Sequence, residues 1–129
     1  MTKGELAKKN FESGMNCAQA VLLAFKDEMN MDEVALKKLI IGFGGGFARQ
    51  RYVCGAVSGM TMVLSYLKSD GEDKLSSYAL IKEACDKVKE KLGSIICSEL
   101  MQTSADGKQK TPCAEICKIV ADVTSGYLK

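Results

Sequence analysis

Apolar residues recur at helical spacing through almost the whole chain, and a single proline among 129 residues leaves that pattern nearly uninterrupted. Hydrophobic residues make up 47% of the chain but aromatic residues only 6%, so Leu, Ile, Val, Met and Ala must fill the core. We therefore expect an all-α fold. The length predicts a single domain over residues 1–129, built as a compact bundle of about five to six helices.

Local signals predict where these helices begin and end. Asn16 and Asp32 are residue types that cap helix N-termini, and Thr111 before Pro112 predicts a capping threonine with the proline at the first helical position. The predicted helices cover about residues 2–13, 17–29, 32–41, 53–68, 72–92 and 112–128, with one or two further turns near 94–101. The polar stretch 102–110 is expected to be an exposed loop.

A glycine-rich segment separates the third predicted helix from the fourth. Gly44–Gly46 indicate a backbone with unusual dihedral angles or a close approach, and we expect a loop there. Gly55 and Gly59 are four residues apart, so they share one face of the next helix, with Ala56 beside them. Another helix or a cofactor can come close to that face, and these three residues are the predicted cofactor-binding residues.

Charge and hydropathy together exclude nucleic-acid binding and a membrane span. Eighteen basic and 16 acidic residues alternate along the sequence and give a net charge of +2, which is typical of solvated helix faces and not of a nucleic-acid-binding surface. The longest uncharged run, residues 52–67, contains small and polar residues and is shorter than the roughly 20 apolar residues of a membrane span. The charged N-terminus lacks the apolar core of a signal peptide, so we expect a cytoplasmic protein.

Cysteine is the residue type with the most distinctive chemistry here, since the chain has six cysteines and no histidine. In a cytoplasmic protein six cysteines point to redox chemistry or metal binding more than to structural disulfides. The absence of histidine excludes zinc sites that need it, c-type haem attachment, Rieske centres and nucleophile–histidine catalysis.

Four cysteines lie at or near predicted helix starts, where free backbone N–H groups and the helix dipole favour a thiolate. They are Cys17, Cys54, Cys97 and Cys113. A buried cysteine can also act as a small apolar residue, and for each one taken singly that interpretation stays open.

Cys54 is our first candidate for the reactive thiol. Arg49 and Arg51 are close to it in sequence and could supply positive charge, and the glycine segment could expose its sulfur. If both arginines point to solvent, this argument no longer holds. Cys17 or Cys97 is the favoured resolving partner.

The two remaining cysteines are weaker candidates. Cys117 shares a helix face with Cys113, so both could meet a metal or a third thiol, yet Cys117 could equally be a core residue. Cys85 lies in the middle of a long predicted helix and is interpreted as core. No two cysteines have the spacing of zinc ribbons or ferredoxins, so a metal site would have to be assembled from distant helices.

The order NCAQAVLLAF, GFGGG, CGAVSGM, CSEL and a late PC resembles the putative redox-active protein family known by its C_GCAxxG_C_C cysteine pattern. The resemblance covers nearly the whole chain. It implies that Cys17, Cys54, Cys97 and Cys113 are the family's characteristic cysteines and that Cys85 and Cys117 are additional. It also implies a small bacterial helical protein with a functional link to a transporter.

Three functions remain open at this point. The first is thiol redox or electron transfer with an unknown redox partner, in which Cys54, Cys17 and Cys97 are the catalytic residues. The second is an iron–sulfur or zinc protein with Cys17, Cys54, Cys97 and Cys113 as ligands. The third is a non-catalytic interaction module with cysteines as packing residues and methionines lining a pliable surface, although core packing explains the methionines as well. The small-residue helix is compatible with a homodimer.

Overall fold

The computed structural model describes residues 1–103, 106–107 and 109–129, and within these ranges the fold is all-α. Its helices are α1 (Lys3–Glu12), α2 (Cys17–Ala24), α3 (Lys26–Met29), α4 (Glu33–Ile40), α5 (Gly44–Phe47), α6 (Gly55–Lys68), α7 (Lys74–Leu92), α8 (Cys97–Leu100) and α9 (Cys113–Gly126), with a 3-10 turn at Ile41–Phe43. Six of the described helices, α1, α2, α4, α6, α7 and α9, have eight or more residues. The prediction of an all-α fold is therefore confirmed.

Most of the predicted helix starts are confirmed. The Asn16 side chain accepts the Gln19 N–H at 2.9 Å, and the Gln19 side chain accepts the Asn16 N–H at 3.1 Å, which forms a capping box before α2. Asp32 caps α4 by accepting the Ala35 N–H at 2.9 Å. The last helix was predicted to have Thr111 as its cap and Pro112 as its first residue, which was wrong by one residue. Pro112 is the N-cap, because its ψ of 146° is extended, and α9 begins at Cys113.

The predicted helix over residues 17–29 is interrupted at Phe25, whose φ of −110° and ψ of 15° leave the helical region. Phe25 is fully buried, so its ring occupies the core at the point where the chain turns from α2 into α3. The predicted loop at 102–110 includes Ser104, Ala105 and Lys108, which lie outside the described residues.

Helix α2 forms the centre of the core. Every residue from Ala18 to Ala24 is buried, since α1, α4, α6 and α9 all pack against this helix. A short helix that is apolar on all sides is stable only when it is enclosed in this way. Cys17, its first residue, is therefore held by the most tightly packed element of the fold.

Helix α6 crosses α2 at close range because of its glycines. A Cβ atom on Gly59 would lie 3.0 Å from the carbonyl oxygen of Ala18 and 3.1 Å from the Cβ of Val21. The prediction that Gly55 and Gly59 allow a close approach is confirmed, and the element that approaches is α2.

The glycine-rich segment that contains α5 is a left-handed turn and not a regular right-handed helix, and the turn extends past its glycines. All five residues from Gly45 to Arg49 have positive φ angles, and Arg51 follows at 67°. The unusual dihedral angles predicted here are confirmed, but they also involve residues that carry side chains. Each such residue costs on the order of 1–2 kcal/mol in this conformation, so the surrounding contacts must hold the turn in place.

Within the described part of the chain, none of the helices has the length and apolar character needed to cross a membrane.

Candidate functional site: a cavity lined by four cysteines

Four of the six cysteines line one small cavity of about 40 Å³, which we call the cysteine cavity. Its lining residues are Cys17, Gly45, Arg51, Cys54, Cys97, Leu100, Met101, Gln109, Cys113 and Ile116. The structure therefore brings together the same four cysteines that sequence analysis singled out at helix starts. They come from regions of the chain that are far apart in sequence.

Each of these four cysteines does lie at a helix start. Cys17, Cys97 and Cys113 are the first residues of α2, α8 and α9, and Cys54 directly precedes α6. The N-terminal N–H groups of a helix have no partner inside that helix, and they can donate to a nearby sulfur. Four helix N-termini thus meet around one cavity.

Cys17 and Cys54 line the cavity together, and their thiols affect each other's pKa. The bond that the Cys54 thiol donates to the sulfur of Cys17 lowers the pKa of Cys17 to about 6. Burial opposes this effect, while the backbone N–H groups of Gly45, Ala18 and Cys17 itself reinforce it. Cys17 is partly exposed, so its thiolate can be reached from outside.

Cys54 has the opposite character. It is only 5% exposed, and the hydrogen bond to Cys17 together with burial raises the pKa of Cys54 well above its ordinary value. Its backbone N–H is bonded to the carbonyl oxygen of Ile95 at 2.8 Å, which fixes the start of α6 against the segment before α8. The pKa values of the two thiols are therefore shifted in opposite directions, with the lower value at the more exposed sulfur.

Gly55 is the residue that lets the two thiols meet. A Cβ atom on Gly55 would lie 2.6 Å from the Sγ of Cys17 and 2.9 Å from the carbonyl oxygen of Phe43. Only glycine leaves room for this sulfur without a shift in α2 or α6. The cofactor-binding role predicted for Gly55, Ala56 and Gly59 stays a prediction.

Arg51 contributes positive charge at the cavity, but its hydrogen bond goes to Cys97 and not to Cys54. Its Nη1 donates to the Sγ of Cys97 at 3.6 Å, and this bond raises the pKa of Arg51. Arg49 is exposed and is absent from the described lining of the cavity. Of the two arginines proposed from sequence to act on Cys54, only Arg51 lies at the site.

The left-handed turn determines where Arg51 lies. The Arg51 carbonyl accepts the Ser98 N–H at 3.2 Å, and the Tyr52 carbonyl accepts the Cys97 N–H at 2.6 Å. A Cβ atom on Gly46 would come within 2.6 Å of the Cβ of Cys97. The turn and α8 are therefore packed together directly beside the sulfur of Cys97.

Cys113 lies at the rim of the cavity with two residues that sequence analysis did not assign to a site. Gln109 Nε2 donates to the Sγ of Cys113 at 3.6 Å, and that Sγ lies 4.0 Å from the Sδ of Met101. Met101 was predicted only as a surface or core methionine. Gln109 belongs to a polar stretch whose composition carries no signal for a site.

Cys117 and Cys85 lie outside the cavity. Cys117 is fully buried, its Sγ donates to the backbone carbonyl of Cys17 at 3.9 Å, and burial raises its pKa. Cys85 is half-buried on α7, and burial raises its pKa as well. The fourth cavity cysteine is therefore Cys113, while Cys117 packs in the core behind Cys17.

Across residues 1–103, 106–107 and 109–129, no group of three or more Cys, Asp or Glu side chains is arranged so that it could hold a metal ion. All six cysteines fall within these ranges, and each carries a free thiol. The arrangement is that of four free thiols gathered around one cavity.

A family model described as putative redox-active protein (C_GCAxxG_C_C) matches residues 15–127 of the chain. The match spans most of the sequence and includes all six cysteines. The chain matches no curated protein and no solved structure.

Proposed function

Because the chain belongs to the C_GCAxxG_C_C family of putative redox-active proteins, we propose that Cys17 and Cys54 are its redox-active dithiol. The family description supports a general redox-associated role. The proposal adds the pair of sulfurs, their order of action and the reaction type, which is reversible thiol–disulfide exchange.

The observation that carries the proposal is that Cys17 and Cys54 line one cavity, with the sulfur of Cys17 against Gly55, the residue that directly follows Cys54. This contact brings the two cysteines together, as a disulfide between them requires. The opposite pKa shifts of the two thiols support different roles: Cys17 is the accessible thiolate that attacks, and Cys54 is the buried thiol that resolves. This order is the reverse of the one expected from sequence, in which Cys54 attacks.

The exchange proceeds in two steps in which sulfur bonds and electrons balance. The Cys17 thiolate attacks a disulfide of the partner, a mixed disulfide forms, and one partner sulfur leaves as a thiolate. Cys54 then loses its proton and attacks the sulfur of Cys17, so that the second partner sulfur leaves. The protein gains one disulfide and loses two electrons, and the partner disulfide is reduced to two thiols.

The test follows disulfide exchange with a small chromogenic disulfide in Cys17→Ser and Cys54→Ser, with Cys85→Ser as the matched control. We expect Cys17→Ser to abolish the fast reaction and Cys54→Ser to stop at the mixed disulfide, which mass spectrometry detects. Cys85→Ser should react like the unmodified protein. Normal exchange and normal product release in Cys54→Ser would contradict the proposal.

A second candidate function is thiolate ligation of an iron–sulfur cluster or zinc by Cys17, Cys54, Cys97 and Cys113. The observation in its favour is that these four residues line one cavity, but no three of the described side chains are arranged to hold a metal ion, so ligation would require the sulfurs to move closer together. Protein purified without oxygen or chelator distinguishes the two functions, because a cluster gives charge-transfer bands near about 400 nm and acid-labile sulfide. Stoichiometric metal that is lost in a Cys17→Ala, Cys54→Ala double variant would support ligation.

The interaction module is the third interpretation, and most methionines that it would use take part in packing. Met29 and Met60 are buried, and Met15, Met31 and Met62 pack against the core. The redox partner, the link to a transporter, the homodimer and the cytoplasmic location stay predictions.

A further inference from the structure

The size of the cysteine cavity limits which oxidants can reach the sulfur of Cys17 from inside the protein. The cavity has a volume of about 40 Å³. A water molecule needs roughly 10–15 Å³ of such volume, so the cavity accommodates only two or three atoms of the size of oxygen. A glutathione-sized disulfide is far too large to enter, so disulfides can reach only the exposed side of Cys17 and gain nothing from the groups that line the cavity.

We propose that the cysteine cavity binds a small hydroperoxide, with hydrogen peroxide as the best-fitting member, and that the Cys17–Cys54 dithiol reduces it. This inference rests on the proposed function, since it uses the same pair of thiols. It adds the class of oxidant, which the dithiol alone does not specify.

The lining of the cavity separates a closed floor from an accessible rim. The floor is formed by four buried residues, Cys54, Cys97, Leu100 and Ile116. The partly exposed lining residues form the rim, and they are Cys17, Gly45, Arg51, Met101, Gln109 and Cys113. A small molecule can therefore enter past the rim, whereas the buried floor excludes a bulky alkyl group.

The chemical groups at the rim suit peroxide cleavage. The sulfur of Cys17 accepts hydrogen bonds from Cys54 and from backbone N–H groups, so the attacking atom is already activated. Arg51 has one Nη1 bond to Cys97, and a guanidinium carries five N–H donors, so other donors remain for an oxygen in the cavity. Its positive charge stabilises the negative charge that develops on the departing oxygen.

The reaction balances with the peroxide as the only oxidant. The Cys17 thiolate attacks one peroxide oxygen, the O–O bond breaks, and the other oxygen leaves as hydroxide and takes up a proton to become water. Cys17 is now a sulfenic acid. The sulfur of Cys54 attacks the sulfur of Cys17, the hydroxyl group leaves with the Cys54 proton as a second water, and a disulfide remains. One peroxide is reduced by two electrons, and the dithiol is oxidised by two.

The experiment mixes fully reduced protein, freed of reductant and oxygen, with hydrogen peroxide, tert-butyl hydroperoxide or oxidised glutathione at equal concentration. Peroxide consumption gives the rate, and peptide mass spectrometry after alkylation identifies the disulfide. Each rate is divided by the rate of free cysteine with the same oxidant. We expect one hydrogen peroxide consumed per Cys17–Cys54 disulfide, and a normalised rate at least about tenfold above those of the two larger oxidants.

Two pairs of variants test the cavity itself. Met101→Ala widens the rim and should raise the rate with tert-butyl hydroperoxide relative to hydrogen peroxide, whereas Met31→Ala, which removes a partly buried methionine outside the cavity, should leave that ratio unchanged. Arg51→Gln should slow the reaction with hydrogen peroxide by about tenfold or more, and Arg51→Lys, which keeps the charge, should recover part of the rate.

The inference is overturned if oxidised glutathione or tert-butyl hydroperoxide reacts as fast as hydrogen peroxide after normalisation, even though the Cys17–Cys54 disulfide forms. In that case the proposed function stands and the assigned oxidant is wrong. If none of the three oxidants produces this disulfide, the proposed function fails with it.

Discussion

A Cβ atom on Gly55 would lie 2.6 Å from the Sγ of Cys17, so the first glycine of the CGAxxG sequence is a direct neighbour of the sulfur that we propose as nucleophile. This relationship connects helix packing to thiol chemistry, because the contact that brings α6 onto α2 also sets the position of Cys17 relative to Cys54. It leads to the first of four predictions.

Gly55→Ala should lower the free energy of unfolding by about 1–3 kcal/mol, because the added methyl group must displace Cys17 or separate α6 from α2. Gly126→Ala is the matched control, since a Cβ atom there would meet nothing within 4 Å. Chemical denaturation of the reduced proteins gives the free energy of unfolding of each variant. Equal stability of the two variants would mean that α6 can move away from α2 at little cost.

Replacing Cys54 should change the acidity of Cys17 according to whether the new side chain can donate a hydrogen bond. Cys54→Ala removes the donor, so the pKa of Cys17 should rise from about 6 toward its ordinary value of 9.0. Cys54→Ser keeps a hydroxyl donor and should cause a smaller rise. The pH dependence of alkylation at Cys17, followed on its own peptide, gives each pKa.

An unchanged pKa of Cys17 in both Cys54 variants would contradict this explanation. It would mean that the backbone N–H groups of Gly45 and Ala18, and not the thiol of Cys54, keep the pKa of Cys17 low.

A plot of the reduction potential of the Cys17–Cys54 pair against pH should change slope near pH 6, because Cys17 becomes protonated below that pH. Above that pH the reduced pair binds one proton, so the potential should fall by about 30 mV per pH unit for a two-electron couple. Below it two protons are bound, and the slope should double to about 59 mV per unit. Equilibration with a dithiol buffer across this range measures the slope. If the potential instead fell by about 59 mV per pH unit all the way up to pH 8, Cys17 would have an ordinary pKa.

The stability of the reduced protein should depend on pH through Cys17. Its pKa in the folded state is about 6 against an ordinary 9.0, so the thiolate is favoured by folding. The resulting stabilisation is complete above pH 9 and is lost as the pH falls through 6, at up to about 1.4 kcal/mol per pH unit. The raised pKa of Cys54 affects stability in the opposite direction, but only when the pH exceeds the ordinary pKa of a cysteine thiol.

The measurement for this prediction is the difference in unfolding free energy between the reduced protein and Cys17→Ser. This difference should grow in favour of the unmodified protein from pH 6 to pH 9. Parallel stability curves for the two proteins would contradict it.

The helix starts and the close approach of α6 could be predicted from sequence because both depend on local chemistry. Asn16 and Asp32 are capping side chains, and glycines four residues apart share a helix face in any helix. The same local reasoning positioned Cys17 and Cys54 at the starts of their helices. These features follow from a few neighbouring residues and needed no knowledge of the tertiary fold.

The distribution of charge and protons inside the site could not be predicted in this way. Arg51 bonds to Cys97 because the left-handed turn brings its guanidinium to α8, and nothing in the sequence indicates that Arg49 and Arg51 adopt positive φ angles. The preference for Cys54 as the attacking thiol came from its distance to the arginines along the chain. Acidity depends instead on burial and on hydrogen bonds from elements that are distant in sequence.

The gathering of four helix N-termini around one cavity has a consequence for how the protein matures. Cys17 and its partners at 54, 97 and 113 are far apart in the chain and meet only when α6, α8 and α9 have come together with α2 in the folded protein. Until then each thiol has the ordinary acidity of an unfolded chain and reacts slowly. Enhanced reactivity therefore appears only in the folded protein, so the chemistry of Cys17 depends on the packing of helices that are distant in sequence.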